Sequence, residues 1–254
     1  MMNVTRRDII KGGIGLSGIL ATGTAPAFMK SLIGATQTAF VNVGAGKITA
    51  RSYVQNGLVA MWDGIENVGW GLHDSNSTTW KNLIDSKGDA TLTQYGHFSD
   101  DAFIGLKDST ATVNTNAANI KKSYYPTYIE AVVNVYEDHR RDNGPIIALE
   151  NPSGLVFSST FKSLFANGLS GKGGTITLGE KVAFSAPGNG TAPVYVNGID
   201  STMEAYHYIG TSYHGFVRVN RGSAAVHCCR LYDRILTYEE VLHNYEIDKE
   251  RFGL

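Results

Sequence analysis

The order of apolar and polar positions along the chain predicts a domain built from many short β-strands. Residues 128–136 alternate, with Ile129, Ala131, Val133 and Val135 on one face, which is the two-residue period of a strand with a core side. Further apolar runs fall at 58–62, 145–149, 154–157, 175–178, 181–185, 193–196 and 226–232. A spacing of roughly 8–12 residues between strands is typical of a sandwich of two sheets.

Turn residues separate these runs. Asn197-Gly198 is the strongest short hairpin signal in the chain, and Asp63-Gly64 ends the first apolar run. Residues 65–79 are rich in Gly, Asn, Ser and Asp and have little periodicity, so they predict a long loop.

The pattern changes to a helical period near the end of the chain. Four residues fall at positions i, i+3, i+4 and i+7, namely Tyr238, Val241, Leu242 and Tyr245, and Phe252 extends this apolar stripe. Thr237 and Glu240 stand three residues apart, as a capping box requires. The prediction is therefore an all-β protein, a two-sheet antiparallel sandwich, with a short C-terminal helix that packs this stripe against it.

The N-terminal segment has the pattern of a targeting signal. Residues 5–11, Thr-Arg-Arg-Asp-Ile-Ile-Lys, resemble the twin-arginine export motif of bacteria, and a Gly-rich, weakly apolar run follows at 12–28. That run is short for crossing about 30 Å of hydrocarbon, although an uncleaved membrane anchor is the alternative. We predict a signal peptide at 1–35, a linker at 36–52 and a folded domain at 53–254. The mature protein would then lie in the periplasm, at the cell surface or outside the cell, with no membrane span.

Charge and cysteine content exclude several classes of protein. The net charge is −1, so no basic footprint for nucleic acid stands out. The only two cysteines are the neighbours Cys228 and Cys229, which rules out a disulfide framework. In a strand their side chains point to opposite faces, and Cys229 shares the parity of Leu231, so we expect it to pack inward. A strained vicinal disulfide is the alternative.

Four stretches occur in the order in which one family carries them. They are GLVAMWDG at 57–64, YIEA at 128–131, YVNG at 195–198 and RLYDRILTYEEV at 230–241. They resemble the opening strand, a central strand, a hairpin and the closing motif of laminin-G-like, concanavalin A-like jelly rolls. The resemblance covers 53–254 and departs from the family at Ile235, where alanine is usual, and at the two cysteines.

The resemblance implies two antiparallel sheets packed face to face, with ligands bound on the concave face or at loop ends. Members of the family are mostly glycan-binding or adhesive modules, and some bind Ca²⁺. The expected partner is thus a glycan or a cell-surface protein, with no required cofactor and calcium left open. Fold alone does not fix function.

The loop at 65–79 holds the candidate ligand-binding residues. Trp70 lies between two glycines, and an exposed indole there would stack on a sugar ring, whereas His73, Asp74 and Asn76 would supply polar groups. The alternative for Trp70 is an aromatic side chain folded back onto the domain. A turn-forming cluster is the alternative for the polar residues. The other two tryptophans, Trp62 and Trp80, border apolar runs and are predicted to be core residues.

A spacing of three carboxylates invites a catalytic interpretation. Residues 246–250, Glu-Ile-Asp-Lys-Glu, match the motif of laminarinase-type glucanases, whose retaining mechanism needs two carboxyls about 5–5.5 Å apart. On a strand, Glu246, Asp248 and Glu250 would share one face, but on a helix Asp248 points about 200° away from Glu246. We therefore predict a solvated helix face, with Lys249 beside Glu246, and no catalytic role.

The leading hypothesis is an exported, non-catalytic module that binds carbohydrate or another surface ligand. The alternatives are a structural or adhesive protein-interaction domain of the cell envelope and, third, a glycoside hydrolase.

Overall fold

A computed structural model describes residues 48–105, 115–136, 144–150, 153–158, 163–167, 173–187, 192–203, 216–219 and 224–254. The chain divides into two compact units, Met1–Gly44 and Ala45–Leu254, and every described residue belongs to the second. The predicted signal peptide and residues 36–47 of the predicted linker lie outside the described residues. Among those described, no helix is both long and apolar enough to cross a bilayer.

The described residues form sixteen strands and one α-helix. The strands are β1 (Leu58–Asp63), β2 (Thr79–Trp80), β3 (Ala90–Leu92), β4 (Gly96–Phe98), β5 (Phe103–Gly105), β6 (Thr115–Ile120), β7 (Tyr128–Val135), β8 (Gly144–Glu150), β9 (Ser153–Ser158), β10 (Ser163–Asn167), β11 (Gly173–Thr175), β12 (Lys181–Pro187), β13 (Tyr195–Val196), β14 (Ile199–Asp200), β15 (Phe216–Val219) and β16 (Ala224–Tyr232). The helix α1 spans Tyr238–Phe252. Short 3-10 turns occupy Ala50–Ser52 and Ser86–Gly88.

The strands form two sheets. The first has the order β14-β13-β12-β7-β16-β5-β4, with β1 also paired to β16, and the second has the order β11-β10-β9-β8-β15-β6-β3-β2. All the strand pairs in the described part of the chain are antiparallel. The predicted two-sheet antiparallel sandwich with a C-terminal helix is confirmed.

One apolar core fills the space between the sheets. The alternation predicted for β7 is confirmed, because its inner residues all belong to this core: Ile129, Ala131, Val133 and Val135. Trp62 and Trp80 are buried in the same core, as predicted. The Trp80 ring stacks on Phe103 at 4.9 Å between centroids, which ties the edge of the second sheet to the first.

Strand β16 joins the first and last parts of the domain. It pairs with β7 along one side, and with β5 and then β1 along the other. A β-bulge at His227 shifts the register, so that Val226 and Cys229 both face the core between the sheets while Cys228 faces the opposite side. The inward packing predicted for Cys229 is confirmed, and both thiols are free.

Helix α1 covers the outer face of the first sheet. The predicted capping box is present, with the Thr237 hydroxyl accepting from the Glu240 amide and the Glu240 carboxylate accepting from the Thr237 amide. The helix ends at Gly253, whose φ of 69° is the left-handed conformation common after helices.

The predicted apolar stripe of α1 coincides only in part with the face that meets the sheet. The residues buried on the helix are Val241, Asn244, Ile247, Asp248 and Phe252. Of the predicted stripe Val241 and Phe252 are buried, whereas Leu242 and Tyr245 are half-buried and lie against the turn at Gly198. The helix is rotated relative to the prediction since two polar residues, Asn244 and Asp248, have buried partners on the sheet.

Candidate functional site

A surface depression of about 470 Å³ lies at one edge of the sandwich. It is formed by the loop before β2 and by the chain that leads from β3 into β4. Because β3 belongs to the second sheet and β4 to the first, the depression lies where the chain crosses between the sheets. We call it the edge groove; its lining residues are Ser75, Asn76, Ser77, Thr78, Leu92, Thr93, Gln94, Gly96 and His97.

Two hydroxyl groups hold the backbone of the edge groove. Ser77 Oγ donates to the carbonyl of Thr79 at 2.7 Å, and Thr93 Oγ1 donates to the carbonyl of Ala117 at 3.2 Å. The Leu92 amide donates to the carbonyl of Thr78 at 2.9 Å and so joins the two walls. These bonds fix the shape of the depression from within.

The remaining polar side chains of the groove are available to a ligand. They are Ser75, Asn76, Thr78, Gln94 and His97, all exposed. No intramolecular hydrogen bond engages these five side chains among the described residues. Hydroxyl and amide groups can both donate and accept hydrogen bonds. The groove therefore offers several uncommitted donors and acceptors within one concave surface.

Of the four predicted ligand-binding residues, the structure places Asn76 in the edge groove. Asp74 precedes it in a turn, in which Asp74 Oδ1 accepts from the Asn76 amide at 2.9 Å. The backbone of Asp74 is held on both sides by the side chain of Asn67. His73 Nδ1 lies 3.1 Å from the carbonyl of Gly64. Asp74 thus helps to position Asn76.

Trp70 lies on the side of the loop that packs toward α1. Its ring is half-buried against the apolar residues of the outer face of the first sheet. The guanidinium carbon of Arg51 lies 4.3 Å from the ring centroid, a cation–π contact. Direct ligand contact by Trp70, His73 or Asp74 stays a prediction.

Sequence reasoning missed Gln94 and His97. Gln94 follows β3 and His97 lies in β4, and both strands are three residues long, too short to show a period. The signal that marks the place is the stretch Thr93-Gln94-Tyr95-Gly96, a polar turn ending in glycine.

Solved structures with a similar fold were found for this chain. No family model matches the chain, and no curated protein matches it. Trypanosoma rangeli sialidase in complex with sialic acid matches 88% of this chain with a TM-score of 0.51 and 14% identity. The same sialidase in another structure gives a TM-score of 0.52 and 13% identity. A botulinum neurotoxin serotype D binding domain covers 75% of this chain and 51% of its own, with a TM-score of 0.37 and 10% identity.

These matches concern only part of the sialidase. The chain spans 39% of the length of the sialidase, and the identity is low, so the likeness is one of fold alone.

The three carboxylates of residues 246–250 in α1 do not converge. Glu246 is largely exposed and pairs with Lys249 at 2.6 Å, as predicted, and Glu250 is exposed. Asp248 is 1% exposed, so the predicted solvated face is wrong for this residue. Its carboxylate points into the sheet, away from the other two, because a buried arginine binds it there. This group of three does not form the paired carboxyls of a retaining glycosidase.

The partner of Asp248 is Arg230 of β16. The guanidinium donates to both Asp248 oxygens, at 2.7 and 2.8 Å, and to Glu130 of β7 at 3.0 Å. It also lies over the Tyr53 ring at 3.9 Å, and the Tyr53 hydroxyl donates to Asp248. Burial raises the pKa of Glu130 despite the opposing effect of Arg230. With Asn244 donating to Glu130, this buried network fastens α1 and residue 53 to the sheet.

A second buried pair joins the end of α1 to the start of the long loop. Arg251 Nη2 donates to Asp63 at 2.9 Å and to Glu66 at 3.2 Å. Glu66 also accepts from the amides of Ala50 and Gly71. The side chains of Asp63, Glu66 and Arg251 are nearly fully buried, so a ligand in solution does not reach them.

The buried cysteines have the character of core residues. Burial raises the pKa of the Cys229 thiol to about 12, and it raises the pKa of Cys228 well above its ordinary value. Both thiols therefore stay protonated and poorly nucleophilic at neutral pH.

Metal ligands do not cluster in the part of the chain that the structure describes. No three His, Cys, Asp or Glu side chains there come together in a way that could hold an ion. Calcium binding stays a prediction from the resemblance.

His227 gives the fold a pH dependence that can be measured. Its side chain is almost fully buried at the bulge of β16, with Nδ1 3.2 Å from both the carbonyl and a carboxylate oxygen of Asp101. Burial lowers the pKa of His227 below its ordinary 6.5, although Asp101 opposes the change. The unfolded chain then binds the proton more tightly, so this contribution to stability is complete above about pH 6.5 and is lost as the pH falls, by at most about 1.4 kcal/mol per pH unit.

We expect His227→Gln to lack this part of the pH dependence. The free energy of unfolding, from urea titrations at about pH 7.5 and about pH 5.5, should fall with acidification more in the wild type than in the variant. Comparing the two proteins is necessary because burial raises the pKa of Glu130 and Asp63, which acts in the opposite direction. An equal change in both proteins would contradict the prediction.

Proposed function

We propose that this protein is an exported, non-catalytic module that binds carbohydrate in the edge groove. The observation that carries the proposal is the set of five exposed polar side chains in one depression, none engaged by a hydrogen bond among the described residues. Sugars present closely spaced hydroxyls, each both a donor and an acceptor. Serine, threonine, asparagine and glutamine side chains offer the same two roles.

The fold supports this proposal by analogy. A solved structure with a similar fold, Trypanosoma rangeli sialidase, is recorded in complex with sialic acid. The sequence resemblance to laminin-G-like, concanavalin A-like modules also points to carbohydrate as the class of ligand. Because folds host many functions, the groove itself is the stronger support.

The absence of a catalytic role is part of the proposal. The carboxylates with raised pKa, Glu130 and Asp63, are held in buried networks under α1 and at the end of β1. The carboxylate next to the groove, Asp74, is occupied in a turn with the Asn76 amide. A laminarinase-type hydrolase, the glycosidase that the sequence suggested, would need two accessible carboxyls flanking the bound sugar.

Export rests on the sequence of residues 5–11 and on the apolar run behind it. We propose that the twin-arginine route carries the folded domain out of the cytoplasm, which would place the groove among envelope or environmental polysaccharides. Calcium is retained as a candidate ligand because of the family resemblance, so the binding assay includes it.

Removal of two groove side chains tests the function. In a pull-down of residues 48–254 with insoluble polysaccharides, we expect Asn76→Ala/Gln94→Ala to weaken binding by about tenfold or more, since each lost hydrogen bond costs about 0.5–1.5 kcal/mol. Asn56→Ala serves as a matched control, because Asn56 is exposed outside the groove and, among the described residues, only its backbone carbonyl has a hydrogen-bond partner, Arg234.

Each assay is run with Ca²⁺ and with a chelator. His73→Ala is added to show whether the site extends along the loop. If no polysaccharide retains the wild type in either condition, or if the double variant binds as well as the control, the proposed function is wrong.

A protein-interaction role is the second candidate, and exposed apolar side chains favour it. Ile199 is 69% and Tyr238 is 48% exposed, and the Tyr238 ring stacks on Tyr195 at 5.3 Å. This small apolar surface lies at the edge of the first sheet beside α1. The same pull-down separates the two candidates, because only a glycan-binding module is retained on polysaccharide through the groove.

A further inference from the structure

We infer that the edge groove selects neutral glycans over acidic ones. This inference rests on the proposed function and names the class of carbohydrate. The side chains that line the groove are four hydroxyls, two carboxamides, one imidazole and one aliphatic group, with a glycine between them. Such a surface matches uncharged sugar hydroxyls, whereas a bound carboxylate is usually held by arginine through paired charge-assisted bonds.

The arginine side chains that the structure describes are engaged elsewhere. Arg230 and Arg251 are bound in the buried networks, and Arg234 donates to both oxygens of Glu240. Arg51 lies over Trp70 on the side of the loop that faces α1. Each is committed to an intramolecular partner that a sugar acid would have to displace.

Of the lysines near the groove in sequence, two are paired with carboxylates, whereas Lys87 is exposed and forms no salt bridge among the described residues. Lys81, which follows β2, binds Asp89 at 2.7 Å, and Lys122, beyond β6, binds Asp85 at 2.7 Å. Both carboxylates lie within residues 81–89, and each neutralises the ammonium group that it binds. Lys87 is not among the residues that line the groove, whose polar side chains are hydroxyls, carboxamides and one imidazole.

Leu92 adds an apolar element to the wall. A pyranose ring has an apolar face of C–H groups as well as its hydroxyls, and a half-buried leucine side chain suits contact with such a face. A neutral sugar uses both kinds of surface, whereas a carboxylate in the same position would lose hydration without gaining an ionic partner.

Matched glycan pairs provide the test. An array carries neutral oligosaccharides beside the same oligosaccharides capped with sialic acid or a uronic acid, and bound pairs are then measured by calorimetry between about 50 mM and about 500 mM salt. We expect at least about tenfold preference for the neutral member, with affinity nearly independent of salt, because dipolar contacts are screened much less than ion pairs. Asn76→Ala/Gln94→Ala should weaken this binding by about tenfold or more, and Asn56→Ala should retain it.

The other outcomes are distinct. Preferential binding of the acidic members, lost in Asn76→Ala/Gln94→Ala, would overturn this inference and leave carbohydrate binding at the groove intact. Binding that the double variant does not alter, or no binding to any member, would overturn the proposed function together with the inference.

Discussion

Replacing Arg230 with methionine is expected to lower the free energy of unfolding by about 3–5 kcal/mol. The guanidinium is 1% exposed and bonds to Asp248 and Glu130, which are also buried. Methionine fills a similar space but leaves two carboxylates facing each other out of water. The cost is the uncompensated charge of the partners, which exceeds the net contribution of the ion pairs themselves.

A matched surface pair provides the control for Arg230→Met. Arg234 forms a salt bridge to Glu240 at 2.6 Å, but it is partly exposed to solvent. Arg234→Met should therefore cost about 1 kcal/mol or less. Both are measured by urea unfolding followed by far-UV circular dichroism. If the two variants lose similar stability, the buried network is not what fastens α1.

Neutral partners should rescue the Arg230 variant in part. Adding Glu130→Gln and Asp248→Asn to Arg230→Met removes the unpaired charges while keeping polar groups for Ser185, Asn244 and Tyr53. We expect this triple variant to be more stable than Arg230→Met alone. A triple variant less stable than the single one would show that hydrogen-bond geometry, and not buried charge, dominates.

The sequence predicted correctly those structural features that depend on residues close together in the chain. The alternation in β7, the Asn197-Gly198 hairpin and the capping box of α1 all formed as expected, because each depends on residues a few positions apart. The positive φ values of Asn197 and Gly198, 52° and 71°, are those that the hairpin turn requires.

The predictions failed where partners lie far apart in the chain. The prediction of a solvated face for Asp248 is wrong because nothing in the sequence of α1 indicates that Arg230 and Glu130 lie beneath the helix. Glu130 and Arg230 are themselves 100 residues apart in the chain. The strand predicted at 175–178 instead lies at Gly173–Thr175, where it pairs with β10. Propensity yields to tertiary pairing in such short strands.

Only one wall of the edge groove could be predicted from the sequence. Asn76 was found because a polar loop marks it, but the opposite wall comes from the chain between β3 and β4, about twenty residues later, whose short strands carry little pattern. That these two segments face each other is a consequence of sheet order and could not be inferred from either segment alone.

Replacing Trp62 with alanine is the second change with a large expected effect, a loss of about 3–5 kcal/mol in the free energy of unfolding. The indole is 2% exposed between the sheets and meets the Tyr124 ring edge-on at 5.5 Å. Its Nε1 donates to the carbonyl of Gly88 at 3.1 Å, so alanine would leave both a cavity and an unpaired buried acceptor.

Trp70→Ala is the matched control, because it removes the same side chain from the loop that follows β1. Trp70 is half-buried and its polar contact is with the Arg51 guanidinium at 4.3 Å, so we expect a loss of about 1–2 kcal/mol. Far-UV circular dichroism during urea unfolding reports both variants without relying on tryptophan fluorescence. An equal or larger loss from Trp70→Ala would contradict the assignment of Trp62 to the core and Trp70 to the loop surface.

The pair of tryptophan variants also separates stability from binding. Trp62 supports the segment around Gly88, whereas the edge groove is built from residues 75–78 and 92–97 and held by its own hydrogen bonds. A Trp70→Ala protein that folds and still binds glycan would confine recognition to the groove. One that folds but loses binding would extend the site along the loop to Trp70, where an exposed part of the ring can stack on a sugar.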